Sequence, residues 1–222
     1  RVHHPAPFMA AVLSNQGGYY QVQAYVSEAG RMGLYVHGPD INESDIPYRA
    51  QGSSTIIVGL MAVAELPSKA MHTIITERTR GGPFVSLVDC ATRLHLSRET
   101  WAALVAAGAC DALEPSSSRS MLLRQVLTTT YVDETEAQLS LFKSPQSGLC
   151  RPTLPTRRMH RSEEELMREF EALGFLRDHH PLMLWAPLLA RIQRLHARDI
   201  NRYIGRRITL VGWPVSRKTV WT

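Results

Sequence analysis

The run Thr55-Ile56-Ile57-Val58-Gly59-Leu60-Met61-Ala62-Val63-Ala64-Glu65-Leu66-Pro67-Ser68-Lys69 decides how this chain is read. Its β-branched start predicts a short strand. Ser68 is placed as the N-cap of a helix whose apolar face is Ala70, Met71, Ile74 and Ile75. Pro83 introduces a second helix over Phe84 to Ala91. Ser97 caps a third, Arg98 to Ala107, and Gly108 stands where a left-handed residue ends it. The stretch closes on Ala109-Cys110-Asp111-Ala112-Leu113. Short helices joined by a tight turn form a helix-hairpin-helix, a unit that grips a phosphate backbone without reading bases.

Working outward, Pro5 to Leu13 predicts a helix with Phe8, Met9, Val12 and Leu13 at helical spacing. After Gly17-Gly18, about Tyr19 to Met32 predicts another, and Leu34-Tyr35-Val36 a short strand before the turn-rich residues 38–45. On the other side, Ser118 caps a helix of about Arg119 to Leu127. Residues 128–160, with Pro145, Gly148, Pro152 and Pro155, predict a tether. Order resumes at Ser162-Glu163-Glu164-Glu165, a capping box, in a helix lined by Leu166, Phe170 and Leu173 and closed by Gly174. A basic helix of about Leu188 to Arg202 follows, and Arg207-Ile208-Thr209-Leu210-Val211-Gly212-Trp213 predicts the start of β-structure. The expected class is mainly α.

Charge is unevenly spread. Residues 1–150 carry 11 Lys and Arg against 13 Asp and Glu, whereas residues 151–222 carry 14 against 7. The basic C-terminal end predicts a polyanion partner, because each neutralised phosphate releases condensed counterions. A solvated basic face with no dedicated partner is the alternative. No apolar run approaches the roughly 18 residues of a membrane span, so no membrane partner is expected. Cys90, Cys110 and Cys150 are odd in number and widely spaced. They predict free thiols in a reducing cytoplasm rather than a disulfide framework or a zinc site.

Several blocks in one order resemble the C-terminal half of the bacterial DNA polymerase III alpha subunits, the C-family polymerases. They are His4-Pro5 with Phe8 to Ser14, Glu28-Ala29-Gly30-Arg31-Met32-Gly33, and Pro39-Asp40-Ile41-Asn42 with Ser44. Gly59-Leu60, Gly82-Pro83-Phe84 and Ala107-Gly108-Ala109 with Asp111 come next, then Leu173-Gly174-Phe175 and His180-Pro181-Leu182. The final block, Gly212-Trp213-Pro214-Val215, resembles the accessory, error-prone members. The resemblance implies that residues 1–50 end a fingers domain and 51–127 form a tandem helix-hairpin-helix region. It further implies a tether at 128–160, a helical connector at 161–205, and the cut start of an OB-fold at 206–222, in a piece of a longer protein. In this family the palm carboxylates that hold two magnesium ions lie upstream. No catalytic residue, metal ligand or cofactor is therefore expected here, and Mg2+ belongs to the parent polymerase.

The expected partners are DNA, both duplex and single-stranded template, and the sliding clamp. A helix-hairpin-helix turn is usually Gly-hydrophobic-Gly, and this chain has Glu65-Leu66-Pro67 there. Two readings stand: a weak phosphate contact through Ser68 and Lys69, with Lys69 its main charge, or a purely structural hairpin. Arg206, Arg207, Arg217 and Lys218 surround the incipient strand bearing Trp213, a basic setting for single-stranded DNA. Gln138, Leu139, Leu141 and Phe142 have the shape of a clamp-binding peptide. Asp40, Glu43 and Asp45 are expected as turn acids rather than metal ligands, and His3-His4 and His179-His180 as packing or helix-entry residues. Ser140, Ser144 and Cys150 lack a paired base. A stand-alone, non-catalytic DNA- or clamp-binding module of the same ancestry is the alternative to a polymerase segment.

Overall fold

The computed structural model describes residues 3–16, 19–136 and 162–214, with 131–136 described by backbone alone. It is mainly helical. Helices α1 (Pro5–Asn15) and α2 (Val22–Arg31) lead into strands β1 (Tyr35–His37), β2 (Arg49–Gln51) and β3 (Thr55–Ile57). β3 is central, parallel to β1 through Val36 opposite Ile56 and antiparallel to β2 through Ala50 opposite Ile56. It takes the centre because Ile56, Ile57 and Val58 are buried. β2 was invisible in the sequence, since Arg49-Ala50-Gln51 has neither alternation nor β-branching. It pairs because the turn at Gly52 folds it back on β3. Position 50, where the fingers end was expected to stop, lies inside β2, and the core continues across it.

The turn at 38–45 is built by its own acids. Asp40 Oδ1 accepts the amides of Asn42 at 2.7 Å and Glu43 at 3.2 Å. The buried Ser44 hydroxyl accepts from the Asp40 amide at 2.9 Å and donates to the Val58 carbonyl at 2.6 Å. Asp45 pairs with Arg49 and Arg78. The turn is held by these bonds, and among the described residues no group of His, Cys, Asp or Glu is arranged to hold a metal.

After a 3-10 turn at Leu60–Ala62 come α3 (Ser68–Gly81), α4 (Leu87–Arg93), α5 (Arg98–Ala107) and α6 (Arg119–Glu136). Ser68 is the first residue of α3, and the N-cap is Pro67. α4 starts at Leu87 rather than Phe84: Asn42 brackets the Phe84 backbone with two hydrogen bonds, and Ser86 caps the helix instead. α6 continues nine residues past Leu127, with Thr128, Thr129 and Thr130 each bonding the carbonyl four residues back at 2.9 Å. The threonine run hid this continuation.

Beyond residue 161, α7 (Glu163–Leu173) carries the expected capping box. The basic helix expected at Leu188 to Arg202 is not formed. In its place stand α8 (Ala186–Leu189), an irregular stretch, and a 3-10 turn at Ala197–Tyr203, none with a buried residue. Without a face to bury, so polar a segment does not sustain a long helix. Residues 207–214 join no strand ladder, and the Leu195 amide reaches the Thr209 carbonyl at 3.0 Å. Among the described residues no helix is long and apolar enough to cross a membrane.

One core runs from Ala6 to Phe175, with Trp101, Phe175, Ile56, Leu60 and Leu104 among its fully buried members. A second, small cluster joins Leu166, Leu176 and Leu184. α7 packs on α5, and a buried ionic network fixes it there. Arg119 bonds Asp111 at 2.7 Å and Glu169 at 2.9 Å, while Arg177 reaches the same two carboxylates at 3.1 and 3.2 Å. Glu169 is wholly buried, and Arg119 and Arg177 are 8% and 10% exposed. Gly108, left-handed at φ 84°, leaves room for the Arg119 guanidinium, and Gly38 lies flat against Arg177.

Burial pushes the Asp111 carboxyl up, but the hydrogen bond and charge of Arg119, followed by the charge of Arg177, outweigh it and hold it below its ordinary value. A carboxyl depressed in the folded state contributes stability in full above its unfolded value of about 3.9. That contribution is lost as pH falls through the lower folded value. Urea titrations across this acid range should therefore show a steeper loss of stability in the wild type than in Asp111→Asn. Equal acid losses in the two proteins would contradict the assignment.

Candidate nucleic-acid interface

The first hairpin joins the 3-10 turn at Leu60–Ala62 to α3. Its turn keeps the glycine-like geometry without glycine: Glu65 sits at φ 59°, in the left-handed region. For a residue with a Cβ this costs on the order of 1–2 kcal/mol, which the neighbours offset. Leu66 is buried, and the Ala64 amide donates to the Ala172 carbonyl at 2.8 Å, pinning the turn to α7. No side chain caps α3 at Pro67. The first amides of that helix, from Ser68, Lys69 and Ala70, thus start the macrodipole's positive end without a capping side chain.

Ser68 and Lys69 are both exposed. His72 Nδ1 donates to the Ser68 carbonyl at 2.8 Å, and Thr73 Oγ1 to the Lys69 carbonyl at 2.9 Å. Together with Thr76 and Glu77 they line a shallow groove of about 420 Å³. Glu65 remains an exposed acid beside this end, opposed to an approaching phosphate.

Two other arginines of the region, Arg78 and Arg93, are committed to the fold. Arg78 binds the carbonyls of Ile41 and Ser44 at 3.1 and 3.0 Å. Arg93 binds Asp89 and the Gly82 carbonyl and lies 4.3 Å from the Phe84 ring centre. The structure also brings together three arginines that the sequence left scattered, Arg98, Arg124 and Arg168, around one groove. Sequence spacing gave no signal for this convergence, nor for the Asp111–Arg119–Glu169–Arg177 network, because the partners lie on separate elements.

At the C-terminal end Arg206 and Arg207 are exposed on irregular chain. Arg217 and Lys218 lie outside the described residues, as do Gln138, Leu139, Leu141 and Phe142. No described hydrogen bond or ion pair joins Ser68 or Lys69 to Arg206 or Arg207. Trp213 packs inward, 5.6 Å from the Trp185 ring and 5.8 Å from the Phe170 ring, edge-on to the latter.

Ser140, Ser144 and Cys150 lie outside the described residues. Cys90 and Cys110 are buried and free. Burial, with help from Asp89, pushes the Cys90 thiol up to about 12, and burial pushes Cys110 well above its ordinary value. Such thiols are poor nucleophiles and poor metal ligands near neutral pH. His180 accepts the Leu182 amide at 3.2 Å and opens the 3-10 turn at Pro181–Trp185, and His4 precedes α1.

Comparison with known proteins bears on this geometry. A family model described as helix-hairpin-helix motif matches residues 33–121, which spans the sheet, the first hairpin and α3 to α5. The chain is 30% identical over 218 residues, 92% of its length, to the DNA polymerase III subunit alpha of Neisseria meningitidis serogroup B, covering 19% of that protein. It is 32% identical over 209 residues, 90% of its length, to the DNA polymerase III subunit alpha of Xylella fastidiosa, covering 17% of that protein. It is 40% identical over 111 residues, 49% of its length, to the error-prone DNA polymerase of Mycolicibacterium paratuberculosis, covering 10% of that protein. The chain thus spans less than a fifth of the length of these relatives. It belongs with the DNA polymerase III alpha subunits and error-prone DNA polymerases, of which it matches one segment.

Proposed function

We propose that this chain is the DNA-holding segment of a C-family polymerase whose whole-protein activity is template-directed DNA synthesis, in replication or lesion bypass in the cytoplasm. In this reading residues 1–50 end the fingers, 51–127 hold duplex behind the active site, 161–205 connect, and 206–222 begin an OB-fold for single-stranded template. Nucleotidyl transfer and its Mg2+ belong to a palm elsewhere in the polymerase. The observation that carries the reading is the first hairpin. Glu65 adopts the left-handed turn, Leu66 anchors it, and the uncapped start of α3 presents Ser68 and Lys69 to solvent.

An anion at that helix start gains backbone amides and the positive dipole end together. Glu65 and Pro67 weaken the cradle by adding a negative charge and removing an amide. DNA contact therefore falls partly to the basic C-terminal end, where Arg206, Arg207, Arg217 and Lys218 would meet single-stranded template. A stand-alone module binding DNA or a clamp is the second reading. It is favoured by Gln138-Leu139-Ser140-Leu141-Phe142, a glutamine followed by leucines and a Leu-Phe pair.

Duplex binding followed against salt checks the hairpin. Lys69→Ala should weaken binding and flatten the log–log salt slope by about 1. An unchanged affinity and slope would make the hairpin purely structural. Replacement of Leu141 and Phe142 by alanine should abolish binding of the chain to a bacterial sliding clamp on a sensor surface. Undiminished binding would remove the clamp from the list of partners.

A further inference from the structure

α5, α6 and α7 enclose a groove of about 600 Å³ that shares no residue with the α3 start. Arg98 enters it from the first turn of α5, Arg124 from α6 and Arg168 from α7. Its remaining polar lining is hydroxyl, from Ser120 and Thr128, and its floor is Leu123 and Leu127. Among the described residues no carboxylate lines it. All three arginines are exposed. Arg168 pairs with Glu164 at 3.8 Å, on a side chain 84% exposed, and Arg98 lies beside the exposed Glu99. A pair so exposed contributes at most about 1 kcal/mol and yields readily to another anion.

Three like charges around one groove repel one another. The arrangement is relieved when a polyanion enters, and the groove's donors suit phosphate oxygens: guanidinium forks and hydroxyls, with an apolar floor for sugars and base faces. Position favours a nucleic-acid strand over an acidic peptide. Arg98 opens the helix that follows the second hairpin, Leu94 to Ser97, on the element where a helix-hairpin-helix presents its phosphate-facing end. Ser97 already caps the amide of Thr100 there, so the contact passes from backbone amides to arginine side chains.

The geometry points to a second DNA contact, in which Arg98, Arg124 and Arg168 together hold the phosphodiester backbone of one strand in the α5–α6–α7 groove. This rests on the proposal that the chain holds DNA, and it assigns the second hairpin side-chain contacts in place of a glycine cradle.

The test uses the whole chain, fluorescein-labelled duplex and oligo-dT, and a polyglutamate peptide, each titrated over a range of salt. The triple variant Arg98→Gln, Arg124→Gln, Arg168→Gln should weaken binding of at least one DNA probe about tenfold or more at low salt. It should also flatten that probe's salt slope by about 2–3. The matching triple Arg→Lys variant should keep most of the slope, and both should melt like the wild type because the three side chains are exposed. If the glutamine variant keeps the wild-type slope on both DNA probes while Lys69→Ala lowers it, this contact is refuted and DNA holding stands. A loss confined to polyglutamate refutes it in favour of an acidic protein partner. A wild-type chain that binds neither DNA probe refutes both proposals together.

Discussion

The buried network of Asp111, Arg119, Glu169 and Arg177 is the constraint on which the rest of the structure depends. Two arginines and two carboxylates, their net charge zero, meet at separations of 2.7 to 3.2 Å, with Glu169 wholly buried and Asp111 33% exposed. At an effective dielectric near 20, each such contact is worth about 5–6 kcal/mol of attraction. Desolvation of each ion costs several kcal/mol. The net gain is therefore modest, and the network's main effect is to specify a single arrangement. Arg119 also donates to the Ala106 carbonyl at 2.8 Å, and the Arg177 amide donates to Glu169 at 3.2 Å. A shift of α7 along α5 would leave buried charges unpaired.

That restriction matters because α7 is remote in sequence from the helices it completes. Glu165 shows the same economy: it closes the capping box of α7 and accepts the Arg119 amide at the start of α6 at 3.2 Å. One carboxylate thus serves two helix N-termini, each of which favours negative charge. From α7 the constraint passes to the first hairpin. The Ala172 carbonyl takes the Ala64 amide, Leu173 joins the main core, and Glu65 holds its left-handed turn next to that bond. The residues proposed to meet phosphate, Ser68 and Lys69, stand on a turn whose position is set from α7.

What was legible in the sequence was local. Ser97 and Gly108 bounded α5, and Ser162 with Glu165 announced α7, because caps act within a few residues of themselves. The order of short blocks carried the homology. Non-local pairings were not legible: β2 forms only because β3 is beside it, and Asp111 finds Arg177 across 66 positions. Two expectations failed for identifiable reasons. A charge-rich run at 188–202 resembles an amphipathic helix but has no buried face, and the strand-like residues 207–213 have no neighbouring strand among the described residues. Lys69 could be named from a motif. Arg98, Arg124 and Arg168 could not, since only packing of three helices brings them to one groove.

The claim that an ionic contact fixes α7 on the hairpin region is tested most directly by a double-mutant cycle on Arg119 and Glu169. Unfolding free energies would be measured for Arg119→Met, Glu169→Leu and the pair at neutral pH. Each single change leaves the network unbalanced by one charge, with Arg177 still on Glu169 or Arg119 still on Asp111, and should cost at most about 3–5 kcal/mol. The double change should cost clearly less than their sum, with a coupling of about 1–3 kcal/mol. Additive losses, with coupling within about 0.5 kcal/mol of zero, would show that the two side chains do not hold α7 in place.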